Sequence, residues 1–561
     1  MIRMKVGAIL LDTRSIQKYI FSCNKLQTNI GASYLVDAIF TKEMVDILKD
    51  AGCTLPDITW QEYTAQKEKN KKLPDLMMVD HPDIDCEIAY IGGGNMLILL
   101  RDGGLDDDAL RDKCRNLVSQ WSRRVLLKAP GLKTGAAIDV VDILPGNFKQ
   151  AINSLYQQLK EHQNTILPCV DLPYTGLTLE CDISGKIADV NSYKEDGSKR
   201  WISSEIIAKR NAYQDSRRQL EKDFLEENDG ETPFAFPDEL DQLGYKDKES
   251  YICVIHIDGN NMGVKFSHCR DMQERRALSL TVAQVVKDGF KALLDKEVKP
   301  LALAQDEKKY LSLKTTKYGK VLLPIRPIII GGDDVTFICP GRVGLRYAQA
   351  FIKAVQSKKL LSKDLYTKIN KELKAEGKEI SKKMSCCGGI AIVPAKYPFY
   401  RAYELAEQLC GSAKKKSRQH DTNVVDFAVL HGQMAPELSQ LESQTYEAPQ
   451  GYLHYGPYAV DSTGENGTNL ADLFALCQSM LDFSVPENKI KKLREVLQQD
   501  LHSQQLFLEN SPKMRAILQQ ETGKEEVTAE DFWQDVDGQK KTRYMDAIEI
   551  MKFWIPEGGN K

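Results

Sequence analysis

The sequence predicts an α+β protein built around two copies of a strand, helix, hairpin, helix, strand unit, and three observations carry that prediction. The stretch Ile328 to Ile338, IIIGGDDVTFI, sets apolar runs on both sides of a Gly-Gly-Asp-Asp kink. This reads as two buried strands joined by a tight hairpin, because glycine supplies the positive φ that such turns need. A second hairpin of this kind, IAYIGGGNMLILL, lies upstream. Each hairpin follows an apolar strand ending in aspartate; from Asp12 to Gly94 is 82 residues and from Asp258 to Asp333 is 75, the mark of an internal repeat.

The first copy opens with a strand from Val6 to Leu11, ending at Asp12. Val36, Phe40, Met44 and Ile47 then recur at spacings of four, four and three, which puts them on one helical face. After the glycine hairpin come a helix near Asp107 to Leu127 and a strand from Thr134 to Val141. The second copy repeats the order. YICVIHID ends at Asp258, a helix carries Leu278, Val282, Val285 and Leu293 on one face, and the GGDD hairpin follows. A helix with Leu345, Ala348, Ile352 and Val355 in register leads to a strand from Ser385 to Val393. A closing helix from Tyr400 to Lys415 and a strand from Val424 to Leu430 complete it. Strand, helix, hairpin, helix, strand is the βαββαβ order of a ferredoxin-like or polymerase palm domain, an antiparallel sheet with helices on one face.

The predicted organisation is a first, degenerate palm over 1–145, a mainly helical middle domain over 146–250, a second palm over 251–432 and a helical C-terminal domain over 433–561. A chain of 561 residues fits roughly three or four domains by length alone. Hydrophobic content of 42% fills ordinary cores, and no run of about 18 uncharged apolar residues predicts a membrane span. At the N-terminus the apolar run VGAILL is short for a signal peptide and Asp12 follows at once, which predicts a first strand and a cytoplasmic protein. The 13 cysteines are scattered with no CxxC pair, several in strand contexts (Cys253, Cys339, Cys386, Cys387), and read as buried free thiols. Cys169 and Cys181 leave a zinc site weakly open. A net charge of −3 excludes the general basic bias of a protein that coats nucleic acid, while Lys414, Lys415, Lys416 and Arg418 form a local basic patch.

In a palm sheet the end of the first strand neighbours the tip of the central hairpin, so Asp258 is expected to meet Asp333 and Asp334. Adjacent carboxylates repel, and protonation or a bound cation relieves them. Hard oxygen ligands at a turn suit Mg²⁺ or Mn²⁺, and three carboxylates are about what a two-metal phosphoryl-transfer site needs. The alternative is a solvated Asp-Asp turn, since both residues are common turn formers. The first copy has Gly94 and Asn95 at the equivalent positions and has lost the charge, and Asp12 reads as a strand-end cap. Lys414, at the end of a helix that runs back across the sheet, is either a point-charge contact for a nucleotide triphosphate or a solvated helix end. The dipeptide His420-Asp421 lies in a polar loop and reads as no metal site.

These residues resemble the large polymerase-like subunit of type III CRISPR effector complexes, of the Cmr/Csm kind, whose palms are related to GGDEF nucleotidyl cyclases. The carriers are IQKYIFSCNKLQTNIGASYLVDAIF and YIGGGNMLIL in the first palm. In the second they are FPDELDQLGYKDKESYICVIHIDGNNMG, IIIGGDDVTFI, SCCGGIAIVPAKYPFYRAYELAEQLCGSAKKKSR and VVDFAVL. The resemblance spans about residues 5–430. It implies Asp258, Asp333 and Asp334 as catalytic metal ligands, with the Gly259 carbonyl assisting. It also implies Gly331 and Gly332 as the turn beside base and ribose, and Lys414 as the phosphate contact. Asn260 stands where many cyclases carry a second aspartate, so a fourth carboxylate is not expected. Nor is the HD nuclease domain with which family members often begin, or a zinc carried over from the family's middle domain.

The implied activity is synthesis of cyclic oligoadenylate or a related cyclic nucleotide from ATP in antiviral defence, with Mg²⁺ or Mn²⁺ as a two-metal cofactor. Implied partners are guide and target RNA and the other effector subunits; a stand-alone cyclase would instead be a homodimer. The alternative is an RNA-guided effector scaffold that binds RNA and partner subunits with the palm as its output.

Overall fold

The structure is a computed structural model that describes residues 5–55, 78, 82–143, 147–165, 178–193, 199–226, 232–245, 250–304, 310–374, 377–418, 420–432, 437–461, 469–536 and 538–555. Cys169 lies outside the described residues.

The first palm consists of β1 (Lys5–Arg14), α1 (Leu26–Ala38), β2 (Cys86–Gly92), β3 (Asn95–Arg101), α2 (Asp107–Lys128) and β4 (Lys133–Asp142). Its sheet runs β2-β3-β1-β4 with every neighbour antiparallel, the βαββαβ order that the sequence predicts. Helix α1 continues through a π-helical stretch, Ile39–Met44, into Val45–Asp50, and the predicted face of Val36, Phe40, Met44 and Ile47 is buried along it. Alternation along β1 explains its unbroken apolar run, because successive side chains leave by opposite faces of the sheet. Ile9 and Leu11 enter the large core with Leu110, Cys114 and Trp121 of α2, whereas Val6, Ala8 and Leu10 enter a separate core. That second core is closed by α3 (Phe148–Thr165) through Phe148, Ile152, Leu155 and Leu159. The sequence reading assigned this helix to the middle domain; it covers the other face of the first sheet.

The middle region contributes a hairpin, Val190–Tyr193 with Lys199–Ile202, and α4 (Ser204–Phe224). A Cβ at Gly31 of α1 would fall 1.8 Å from the Lys209 carbonyl oxygen of α4, so the two helices cross backbone against backbone.

The second palm consists of β5 (Tyr251–Gly259), α5 (Met272–Leu293), β6 (Arg326–Gly331), β7 (Asp334–Pro340), α6 (Gly344–Gln356), α7 (Lys363–Leu373), β8 (Cys386–Pro394), α8 (Phe399–Ser417) and β9 (Val424–Val429). Its sheet runs β6-β7-β5-β8-β9 and is extended by β10 (Tyr458–Ala459), which pairs with β9. The region after 432 holds helices over Leu470–Asp482, Glu487–Val496, Leu501–Glu509, Pro512–Thr522 and Tyr544–Ile550. It also holds a small four-stranded sheet, and through β10 it shares the palm sheet.

Helix α5 lies along β2, the edge strand of the first palm. Arg276 Nε donates to the Ala89 carbonyl at 3.0 Å and Ser279 Oγ to that of Ile91 at 3.3 Å, while Arg276 and Glu87 form a buried ion pair. The free edge of one sheet is thereby covered by the other palm. The two hairpin tips also meet: a Cβ at Gly332 would lie 3.3 Å from the Gly93 nitrogen. No helix among the described residues is long and apolar enough to cross a membrane.

Candidate functional site

The GGDD hairpin closes with Gly331 opposite Asp334, leaving Gly332 and Asp333 as a two-residue loop. Gly332 has φ 59°, whereas Asp333 is not among the residues with positive φ, so only the first loop position requires glycine. The first palm differs. Its loop, Gly93 and Gly94, is left-handed at both positions, with φ 60° and 78°. A Cβ at Gly94 would also fall 2.4 Å from Ile16 Cδ1. The backbone of the first hairpin therefore disfavours the aspartate that the second one carries.

In the second sheet Asp334 is paired with Asp258 on β5, and Asp258 with Cys387 on β8. The Gly259 N–H donates to the Asp333 carbonyl at 3.1 Å. A Cβ on Gly259 would fall 2.8 Å from both Asp333 Cβ and Met262 Cε, so glycine is needed for the hairpin loop to close on the strand end. The expected meeting of Asp258, Asp333 and Asp334 is thus built by register. Burial, then the neighbouring Asp258 carboxylate, pushes the Asp333 carboxyl up to about 7. Asp334 Oδ1 is buried, and its neighbour His256 Nδ1 lies 3.3 Å away and 3.2 Å from Thr336 Oγ1. Burial works against the His256 cation, yet Asp334 beside it holds its pKa above the ordinary value.

Lys414 arrives from α8 and its ammonium group bonds the Asp258 carboxylate. The route runs through Gly389 of β8, where a Cβ would lie 1.9 Å from the Ala406 carbonyl oxygen and 2.4 Å from the Cys410 nitrogen. The helix backbone therefore rests directly on the strand, and Lys414, one turn beyond Cys410, hangs over the sheet end. Burial disfavours the Lys414 cation, but Asp258 outweighs it and its pKa is raised.

Asn260 and Asp421, read from the sequence as no ligands, frame this strand end together with Lys265, which the sequence reading passed over. Asn260 is buried and donates through Nδ2 to Ser417 Oγ and to the Thr422 carbonyl, both at 3.0 Å. Lys265, fully buried, donates to the Asn260 carbonyl at 2.7 Å and lies 3.5 Å from Asp421 Oδ2. The one available signal was Lys265 inside the apolar run MGVKF. Asp421 also accepts from Asn261 Nδ2 at 2.8 Å and from the Ser381 N–H at 2.7 Å, while His420 is exposed. The His-Asp dipeptide is a structural junction. Asp12 is no strand-end cap: it stands within β1, opposite Asn95 and Gly135, and accepts from Gln163 Nε2 of α3 at 2.7 Å. The free cysteines among the described residues, Cys181 included, are all buried.

Asp258, Asp333 and Asp334, the Asp333 carboxyl raised to about 7, offer only oxygen donors, the chemistry that hard divalent cations take. With the side chains as they stand, Lys414 takes part of Asp258. Among the described residues no group of three His, Cys, Asp or Glu side chains is gathered to hold a metal ion.

Residues 251–423 match the family model described as Cas10/Cmr2, second palm domain. No curated protein matches the sequence. Similar solved structures include a Csm1-Csm4 cassette in complex with cA4, with 12% identity and a TM-score of 0.43, covering 86% of this chain and 63% of that one. The apo Csm1-Csm4 cassette gives 13% and 0.44, covering 90% and 64%. Csm1 of T. onnurineus gives 12% and 0.44, covering 92% and 64%. The chain spans less than two thirds of the length of these three relatives. The family likeness is therefore that of the second palm, residues 251–423, to a second palm domain of the Cas10/Cmr2 type.

Proposed function

We propose that the second palm is a metal-dependent nucleotidyltransferase that joins ATP into cyclic oligoadenylate or a related cyclic nucleotide, as the signal-producing part of a CRISPR-type antiviral system. The observation that supports it most strongly is the meeting of Asp258, Asp333, Asp334 and Lys414 at one sheet end, inside the stretch that matches the second palm model.

In this reading Asp258, Asp333 and Asp334 hold Mg²⁺ or Mn²⁺, with the Gly259 carbonyl assisting. The cation, when bound, neutralises phosphate charge and lowers the pKa of the attacking ribose 3′-hydroxyl. The chain's own groups orient and enclose. Gly331, where an added Cβ would meet nothing, leaves open space for base and ribose, beside the turn that Gly332 makes. Lys414 exchanges its Asp258 carboxylate for the triphosphate, so the charge that balances the resting carboxylates binds the substrate's phosphates. Holding the hydroxyl of one nucleotide near the α-phosphate of another provides the proximity the reaction needs. Other type III subunits and guide and target RNA are the partners in this reading.

Product analysis tests it. Purified protein incubated with each of the four NTPs and Mn²⁺, alone and with guide and target RNA and partner subunits, is read by mass spectrometry beside Asp333→Ala. Linear or cyclic oligonucleotides from wild type, absent from the variant, are expected; no product under any of these conditions contradicts the proposal. A second reading, an effector scaffold that binds RNA, is favoured by the basic strip described next.

A further inference from the structure

The segment from Lys353 to Lys383 carries ten lysines against four acidic residues, in a chain whose net charge is −3. Much of that charge gathers at one place. Lys359 and Lys383 stand directly opposite each other in an isolated antiparallel bridge. The Leu360 and Leu361 N–H groups both donate to the Lys382 carbonyl, and the Met384 N–H donates to that of Lys358. Lys358, Lys359 and Lys383 are exposed. Ser381, next in the chain, donates its N–H to Asp421, which ties this junction to the end of α8, where Lys415 and Arg418 are also exposed.

Like charges placed directly across a bridge destabilise it. Among the described residues no acidic side chain pairs with Lys359 or Lys383. Lys358 has one distant acid, Asp288 at 3.7 Å. The side chains of Lys359, Lys382, Lys383, Lys415 and Arg418 make no ion pair among the described residues, although ion pairs are common elsewhere on the surface. The strip also abuts the candidate site: Met384 Cε lies 3.0 Å from where a Cβ of Gly259 would be, and Lys415 follows Lys414.

We propose that this strip, Lys358, Lys359, Lys382, Lys383, Lys415 and Arg418, binds the phosphodiester backbone of a single nucleic-acid strand passing the rim of the candidate site. A small anion meets one or two cations, whereas a strand supplies one charge per nucleotide along a row. Lysine ammonium groups bind phosphate as point charges without reading bases. No Phe, Tyr or Trp occurs in 357–361, 381–384 or 415–421 to stack a base, so binding tolerates any sequence. A flexible single strand brings successive phosphates to lysines packed this closely.

The test is fluorescence anisotropy of a labelled single-stranded RNA of about 20 nucleotides against the full chain over a range of salt concentrations. Wild type is compared with K359Q/K382Q/K383Q, and with K491Q/K492Q on another exposed helix as control. All are surface changes, and thermal unfolding verifies the fold. The triple variant is expected to lose about tenfold or more in affinity at low salt, and its slope of log K against log salt is expected to shrink by roughly 2, about 0.7 per phosphate contact. The control keeps both. Equal affinity and slope for the triple variant, no binding by wild type at low salt, or displacement of the RNA by an equimolar amount of inorganic triphosphate overturns the inference. Nucleotide turnover is measured separately, so that failure here leaves the proposed synthesis standing, and the reverse.

Discussion

Asp334 stands directly across the antiparallel ladder from Asp258, and in the first palm Asn95 stands in the same place across from Asp12. One sheet therefore opposes two carboxylates at this strand end, and the other opposes a carboxylate and an amide. Directly opposite like charges cost about 0.2–1 kcal/mol. Asp334→Asn copies the first palm's pairing into the second. It is expected to raise the midpoint of thermal unfolding by about 1–3 °C and to lower oligonucleotide synthesis at least about a hundredfold. Scanning fluorimetry and the product assay measure the two; a variant both less stable and fully active would contradict the electrostatic account.

A cation that binds these carboxylates stabilises the native state by mass action, about 2.7 kcal/mol at a hundred times its dissociation constant. Wild type is expected to melt several degrees higher with Mn²⁺ than with a chelator. Asp333→Ala/Asp334→Ala is expected to lose that difference. Equal Mn²⁺-induced shifts in both proteins would place the cation elsewhere.

Gly389 is the point at which α8 rests on β8. Gly389→Val forces backbone away from backbone, is expected to destabilise the palm by roughly 1–3 kcal/mol, and withdraws Lys414 from Asp258. Gly411, on the same helix, has nothing within 4 Å of an added Cβ. Gly411→Ala is expected to hold or raise stability by up to about 1 kcal/mol and to keep activity. Denaturant unfolding separates the two; a tolerated Gly389→Val contradicts the close crossing.

His454 links the palm to the C-terminal helices. Its Nε2 lies 2.8 Å from Asp426 Oδ1 on β9, and its Nδ1 2.8 Å from Asp546 Oδ1 on the helix Tyr544–Ile550. Burial disfavours the imidazolium, but Asp546 and Asp426 outweigh it and raise its pKa to about 10. A folded-state value above the unfolded one means that this stabilisation is complete below about pH 6.5 and is lost as pH rises towards 10. His454→Asn is expected to lose roughly 3–5 kcal/mol at pH 6 and to flatten the decline between pH 7 and about 10. Unfolding midpoints against pH measure it; parallel curves for both proteins would remove His454 from the junction.

The palms were legible because their strands are continuous apolar runs and their hairpins are marked by glycine, both consequences of local chemistry. That Asp258 meets the GGDD hairpin followed from the palm order, in which the first strand's end neighbours the hairpin tip; its register opposite Asp334 only the structure shows. What the sequence hid was mostly long-range. Phe148, Ile152, Leu155 and Leu159 form a helical face, but nothing in the sequence says that it covers the second face of the first sheet. Tyr458 and Ala459, in a Gly- and Pro-rich stretch, are too short a strand to read alone and exist because β9 offers an edge. Lys265 and Asp421 lie 156 residues apart, and only the fold shows them as one buried junction behind the candidate site.

The most direct test of the central claim, one working palm beside a degenerate one, compares two equivalent aspartates. Nucleotide-dependent pyrophosphate release is measured for wild type, Asp258→Asn and Asp12→Asn under the same activating conditions. The account predicts a loss of at least about a hundredfold for Asp258→Asn and a change of no more than about threefold for Asp12→Asn. Activity that survives Asp258→Asn, or that disappears with Asp12→Asn while the protein stays folded, would contradict it.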